Sequence, residues 1–310
     1  MPKKKFPKII SRSLANSIQQ YFRNKVYDII HIHWLYPDAL CIPKLHEMGN
    51  RCVLTIHGSD WYKNAENSYL LPLFKQVFLK ADYVFFVGDQ LQDDITARFP
   101  ILNDKSSVIY NSVDGEKYSI PTSIEKDQSL KELGWDIRKK HFLCVASSQK
   151  EKGVDLLVQA VGKISDEFSD FQLHVVGSNN PKILKTENSS GKIHFHPTVS
   201  PDELIKYYHA SDAYILPSRK EGFGLAMIEA ATTGLPLVAN PTGIATAFID
   251  ENIGILGDEI SSDSIARSIS KLIQNLDNYS RRSIRGKALA LFGKEIYRDR
   301  LLKQYQILID

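Results

Sequence analysis

The sequence predicts an α/β protein made of two doubly wound parallel sheets in tandem. Three observations carry that prediction. Short β-rich runs alternate with helical patterns of ten or more residues, which is the signature of βαβ units. The alternation is interrupted once, by a polar, charged stretch without a strand over 119–140. The chain has 310 residues, enough for two domains that each bury a core.

In order, the runs 27–34, 51–57, 83–88 and 106–111 read as buried strands. The segments "PDALCIPKLHEMG" and "SYLLPLFKQVFLKA" between them carry helical spacing of apolar residues. The stretch "SIPTSIEKDQSLKELGWDIRKK" is the linker candidate. Strands then resume at 141–147, 171–177, 192–197, 213–218 and 236–240. The helices "GVDLLVQAVGKISDEF", "PDELIKYYHAS" and "GLAMIEAATTG" fill the gaps. The remainder is helical in pattern throughout. The expected division is a first domain over 1–122, a second over 123–285, and a last helix over 286–310 that packs back toward the first domain. No internal repeat or low-complexity segment is visible.

Charged residues make up 24% and hydrophobic residues 43% of the chain, the profile of a soluble globular protein. No apolar run approaches the roughly 18 residues of a spanning helix, and "MPKKKFPKII" lacks the apolar core of a secretory signal. Cys41, Cys52 and Cys144 show neither a disulfide framework nor zinc spacing, so a reducing cytoplasm is expected. The net charge of +3 gives no reason to expect nucleic acid as a partner. The charge is uneven, however. Residues 1–27 hold Lys3, Lys4, Lys5, Lys8, Arg12, Arg23 and Lys25 and no acid, with Ile9, Ile10, Leu14, Ile18, Tyr21 and Phe22 at near-helical spacing. Such a segment could sit on an anionic membrane surface at the inner face of the cell membrane. A basic tail followed by an ordinary packed helix has the same composition.

The densest signal is "EGFGLAMIE", Glu221 to Glu229. It follows the strand "AYILP", so its loop lies at a strand's carboxyl end, where open α/β sheets bind ligands. Gly222 and Gly224 permit close backbone approach, and the N-terminus of the next helix suits a phosphate or a sugar hydroxyl. Glu221 in the loop and Glu229 in the helix's second turn would meet different parts of one extended ligand bearing hydroxyls at both ends. Taken singly, each acid has a plainer reading, as a first-turn acid favoured by the helix dipole or a solvated surface group.

Other strand ends carry candidates. "TIHGSDWY" offers His57 and Asp60, although a core histidine with satisfied hydrogen bonds would look the same. "HWLYPDA" offers Trp34 and Tyr36 for stacking on a sugar, or for packing between helices. "SSQKEKGVD" offers Lys152 to a phosphate, and "NPTGIATAF" offers Thr242 and Gly243. In "HIHW", His31 and His33 share a strand face, and "HFH" (194–196) repeats the pattern. Neither has a local third ligand, which argues against a metal site.

Together these blocks resemble the retaining family 4 glycosyltransferases of the GT-B fold, from about Tyr27 to the C-terminus. The most specific part is "LPSRKEGFGLAMIEAATTGLPLVA", similar to the family's E-x7-E signature. "HIHWLYPDA", "TIHGSDW", "VIYNSVDGEKY", "EKGVDLLVQA" and "DELIKYYHASDAYILPS" follow in family order. The resemblance implies two Rossmann-like domains facing across a cleft. It implies transfer of a sugar from a nucleotide-diphosphate donor to a glycan or lipid-linked acceptor with retention, in cell-surface polysaccharide synthesis, without metal or other cofactor. By position, Glu221 would contact the donor hexose and Glu229 the ribose. Backbone N–H groups of Phe223, Gly224 and Leu225 would cradle hexose and phosphates, and Lys152 would neutralise the pyrophosphate. His57 would approach the donor sugar from the first domain. Thr242 and Gly243 join the donor site, and Trp34, Tyr36 and Asp60 stand on the acceptor side.

Two departures stand out. The arginine usual shortly before the lysine is replaced by Ser147 or Ser148, with Arg219 or Lys220 as substitutes for its charge. Only about 30 residues precede "HIHW", so the resemblance leads one to expect a first domain shortened by its opening βα units, with an edge strand prone to association. That is compatible with a fragment, a partner chain that completes the domain, or lost activity. A catalytically impaired nucleotide-sugar-binding protein is therefore the alternative, and a metal-dependent hydrolase using His31 and His33 a third.

Overall fold

The computed structural model describes residues 6–21, 27–177 and 191–310. It comprises two compact units. The first runs to Asn111 and includes Tyr297–Asp310; the second is Ser112–Ile296. Of the basic segment, Lys3, Lys4, Lys5, Arg23 and Lys25 lie outside the described residues, while Arg12 is exposed on the helix Phe6–Tyr21.

In the first unit, β1 (Ile30–His33), β2 (Cys52–Ile56), β3 (Tyr83–Phe86) and β4 (Ser106–Val108) form a parallel sheet in that order. The register places His33 beside Thr55, and Thr55 beside Phe85. All of β2 is buried, as expected for a parallel strand covered on both faces. One cover is the C-terminal helix Lys294–Ile309. Its Tyr297, Leu301, Tyr305 and Leu308 recur at helical spacing and pack on Val53, Phe85 and Ile109.

The second unit holds six parallel strands: β5 (Lys140–Val145), β6 (Phe171–Val176), β7 (Ile193–His196), β8 (Ala213–Leu216), β9 (Leu237–Ala239) and β10 (Gly254–Leu256). Their order is β10-β9-β8-β5-β6-β7. The chain winds outward one way from β5 and the other way from β8, so the sheet is doubly wound with its switch point between those two. The first unit's described strands show no such reversal. Phe142, Leu173, Ile215 and Val238 of the sheet pack with Leu157 and Val161 of the helix Val154–Ile164 and with Ile269 of the helix Ser262–Asn275. Each such side chain contributes about 1.5–3 kcal/mol on full burial.

Two features differ from the reading of the sequence. The stretch 119–140 is not plain linker. It contains the helix Ser123–Leu133, opened by a reciprocal capping box between Thr122 and Glu125 and closed by left-handed Gly134. The capping spacing was present in "TSIE", but only Ser129 and Leu130 of the helix are buried, so apolar periodicity was weak. β10 leaves no signal in the sequence, because three residues give no period. Among the described residues no helix is long and apolar enough to cross a membrane.

Candidate active site

The second unit's site grows from the two strands at the switch point. β5 leads through Ser147, which is half-buried, into a single 3-10 turn at Lys150–Lys152. β8 leads into the loop from Pro217 to Gly224. Gly153 binds the two loops together: its φ is +66°, and a Cβ there would lie 1.9 Å from the Pro217 carbonyl oxygen. Only glycine allows this backbone-on-backbone approach.

That approach brings two charges into contact. Lys152 Nζ lies 2.7 Å from Glu221 Oε1. Ser218, fully buried, donates its hydroxyl to the same oxygen at 2.7 Å. The Glu221 side chain is only 10% exposed and that of Lys152 33%, so the pair is partly withdrawn from water and its hydrogen bonds are charge-assisted. Arg219 is differently engaged. Its guanidinium makes a two-pronged bond to Asp155, at 2.7 Å each, and donates to the Lys150 carbonyl at 2.8 Å. It clips the two loops together and does not present a free charge.

β9 supplies the third wall. The Asn240 side-chain amide donates to Pro217 O at 2.8 Å and Ser218 O at 3.2 Å. Gly243 is left-handed (φ +56°), and a Cβ there would meet Glu221 Cβ at 2.9 Å. Thr242 Oγ1 is buried with no hydrogen-bond partner among the described residues. The Phe223 ring is buried edge-on to Phe292, 5.4 Å between centroids, and its carbonyl accepts from Ile244 N–H. Its side chain is core, and what it can offer a ligand is backbone. Gly224 caps the helix Leu225–Thr232 with φ +101°, and the Leu225 side chain is exposed. The first N–H groups of that helix lack intrahelical acceptors.

Glu229 lies one turn further on. Tyr208 donates to its Oε2 at 2.8 Å, and Tyr118 also hydrogen-bonds it. Burial raises the Glu229 carboxyl above the usual range, partly offset by the two tyrosine hydroxyls.

The first unit carries its own cluster at the carboxyl ends of β1 and β2. His33 Nδ1 and His57 Nε2 are 3.0 Å apart, and the Trp34 ring lies 4.6 Å from that of His57. Trp34 has φ +76°, a strained conformation for a non-glycine residue. It is held by Trp34 N–H to Thr55 O at 3.0 Å and Ala39 N–H to Trp34 O at 3.1 Å. Burial, then His33, pushes His57 down to about 4. Asp60 is buried and accepts N–H groups from Leu35 at 2.5 Å, Trp61 at 3.2 Å and His57, so it braces both strand ends. Tyr36 is half-buried. His31 has both ring nitrogens engaged, by Tyr305 and by Thr55 Oγ1 at 2.7 Å. Among the described residues no group of three His, Cys, Asp or Glu is arranged to hold a metal.

Sequence reasoning missed Ser218, Asn240, Tyr118 and Tyr208, because single polar residues at strand and helix ends carry no pattern. It also missed a second histidine chain. His141 Nδ1 lies 3.0 Å from His174 Nε2, whose Nδ1 lies 3.1 Å from His196 Nε2, with Trp135 stacked on His174 at 3.5 Å.

Comparison with known proteins places this geometry in a family. Residues 125–288 match the model for glycosyl transferases group 1, and residues 2–117 the model for glycosyltransferase family 4. The chain is 26% identical over 274 residues to a D-inositol 3-phosphate glycosyltransferase of Corynebacterium glutamicum, covering 82% of this chain and 66% of the relative. It is 25% identical over 302 residues to the N-acetyl-alpha-D-glucosaminyl L-malate synthase of Bacillus anthracis, covering 95% and 77%. It spans 59% to 66% of the length of five corynebacterial relatives. Sucrose-phosphate synthase from Thermosynechococcus elongatus superposes with a TM-score of 0.81 at 20% identity, covering 99% of this chain and 80% of that one. Anabaena HepE in complex with UDP and glucose gives 0.81 at 16%, covering 96% and 82%. The fold of each is GT-B, and this chain shares it. On the match over residues 125–288 and its two-sheet α/β architecture, the chain belongs to the glycosyl transferases group 1 family.

Proposed function

We propose that the protein transfers a sugar from a nucleotide-diphosphate donor to a glycan or lipid-linked acceptor, with retention of configuration, in the synthesis of a cell-surface polysaccharide. The observation that carries the proposal is the meeting of Lys152 and Glu221, 2.7 Å apart, at the switch point of the second sheet.

The chemistry follows from the side chains there. Lys152 carries the charge to neutralise a diphosphate as it leaves. The N–H groups at Gly224 and Leu225 add the positive end of a helix. Fixed donors and charges of this kind, aimed where negative charge develops, supply the electrostatic stabilisation that a metal supplies elsewhere. Glu221 would release Lys152 to the diphosphate and accept hexose hydroxyls. Glu229 would take the ribose hydroxyls, with Thr242 and Gly243 completing the donor wall. His57 is proposed as the first unit's contribution to the reaction, and Trp34, Tyr36 and Asp60 as its acceptor-side residues.

A second reading is a nucleotide-sugar-binding protein with impaired turnover. It is favoured by the serine, Ser147 or Ser148, that stands where the family resemblance implies an arginine, while Arg219 is bound to Asp155 and does not present a free second cation. The two readings separate on one experiment. A panel of UDP-, GDP- and ADP-sugars is screened for thermal stabilisation, since a ligand that binds only the folded state raises its stability. The donor that stabilises is then assayed for hydrolysis or transfer. Stabilisation with turnover supports the transferase; stabilisation without turnover supports the binding protein; neither contradicts both.

A further inference from the structure

We propose that Ser218 and Asn240 are positioning residues that aim the Glu221 carboxylate once a donor has drawn Lys152 away. The inference rests on the donor-contacting role of Glu221 proposed above.

Ser218 is fully buried and Asn240 is 1% exposed. A buried hydroxyl must find a partner, and that of Ser218 donates to Glu221 Oε1. Lys152 binds that same oxygen. Oε2 takes no hydrogen bond from any described residue. The carboxylate is thus held by one oxygen and left open at the other. Both donors lie 2.7 Å from that oxygen, but only Lys152 carries a charge that a diphosphate would attract. A diphosphate competes for Lys152, and Ser218 then remains as the protein donor on Oε1. The Ser218 main chain is fixed in turn by Asn240, whose amide protons go to the Pro217 and Ser218 carbonyls. A chain of hydrogen bonds therefore runs from β9 through Asn240 and Ser218 to Glu221. At Gly243, in the turn after Asn240, a side chain would run into the Glu221 stem.

The test uses Ser218→Ala, Asn240→Asp, Glu221→Gln and the double variant Ser218→Ala/Glu221→Gln, each checked for a native melting transition. UDP-glucose, GDP-mannose and UDP-N-acetylglucosamine serve as donors, with UDP and GDP as fragments lacking the sugar. Ser218→Ala and Asn240→Asp are expected to lower turnover roughly 10- to 100-fold, the scale of a misplaced reacting group. Affinity for UDP or GDP should stay within about two-fold. On the Glu221→Gln background, Ser218→Ala should add almost nothing, since residues acting through one another are not additive. An equal loss on both backgrounds, or a loss lying wholly in nucleotide affinity, overturns the proposal. If the wild type uses none of these donors, the transferase reading has failed instead. Crystal structures of Lys152→Ala with and without Ser218→Ala then decide the positioning claim. A carboxylate fixed in the first and displaced in the second supports it, and one that stays in place in both contradicts it.

Discussion

Gly153 and Pro217 touch through their backbones, so closely that a Cβ on Gly153 would stand 1.9 Å from the Pro217 carbonyl oxygen. This contact joins the β5 and β8 loops and so sets the distance between Lys152 and Glu221. Gly153→Ala must pay for a left-handed alanine, about 1 kcal/mol, and for pushing the loops apart, about 1–3 kcal/mol more. The expected outcome is a melting temperature lowered by several degrees and donor affinity reduced at least ten-fold. Unchanged stability and affinity would show that the loops are not locked in this way.

Removing either charge of the central pair should separate chemistry from folding. Glu221→Gln keeps the shape and Ser218's bond, so the fold should persist while transfer falls by about 10²-fold or more, the scale seen when a group stabilising developing charge is lost. Lys152→Ala should lower turnover comparably and also weaken nucleotide diphosphate binding, since it removes the cation. Near-normal turnover in either variant, measured at saturating donor, contradicts the assigned roles.

Glu229 should govern nucleotide affinity more than rate. Its carboxylate is held by Tyr208 and Tyr118, and Glu229→Gln leaves its volume unchanged. Calorimetry is expected to show UDP or GDP binding weakened about ten-fold, roughly one charged hydrogen bond. An unaltered dissociation constant would remove Glu229 from the ribose site.

The histidine chain makes stability depend on pH. Burial is the main reason His174 is pushed down to about 2, and His141 and His196 are lowered for the same reason. A histidine whose folded value lies below its unfolded value of 6.5 stabilises the fold in full above 6.5. That contribution is lost as pH falls from there toward the folded value, for His174 at up to about 1.4 kcal/mol per pH unit. Urea midpoints should therefore fall steadily from pH 7 to pH 5. His174→Gln should flatten that fall, and an identical slope in the variant would show that His174 does not drive it.

The basic N-terminal segment gives a surface prediction. If residues 1–25 meet an anionic membrane, sedimentation with phosphatidylserine vesicles should decline as salt rises, because screening shortens the reach of surface charge. Binding that is absent, or indifferent to salt, would exclude that contact.

Much of the fold was legible because parallel strands buried on both faces read as apolar runs, as "RCVLTIH" and "AYILPS" do. β10 was not, being three residues long, and the exposed helix Ser123–Leu133 was concealed by its polarity. At the site, Glu221, Lys152 and Gly243 were marked by strand-end placement and family spacing. Their contacts were not, since Gly153's clearance over Pro217 and the two bonds on Glu221 Oε1 depend on how three separate loops meet. Arg219 shows the same limit: its sequence position suits a phosphate, but its partner Asp155 lies 64 residues away in the chain.

Lys152 and Glu221 together should form the donor site. Isothermal titration of the wild type, Lys152→Ala and Glu221→Gln with the nucleotide sugar that best stabilises the wild type, and with its free nucleotide diphosphate, tests this. Lys152→Ala is predicted to weaken both ligands about ten-fold or more. Glu221→Gln is predicted to weaken only the nucleotide sugar and leave the free diphosphate within about two-fold. Equal affinities across all three proteins would contradict the donor site proposed here.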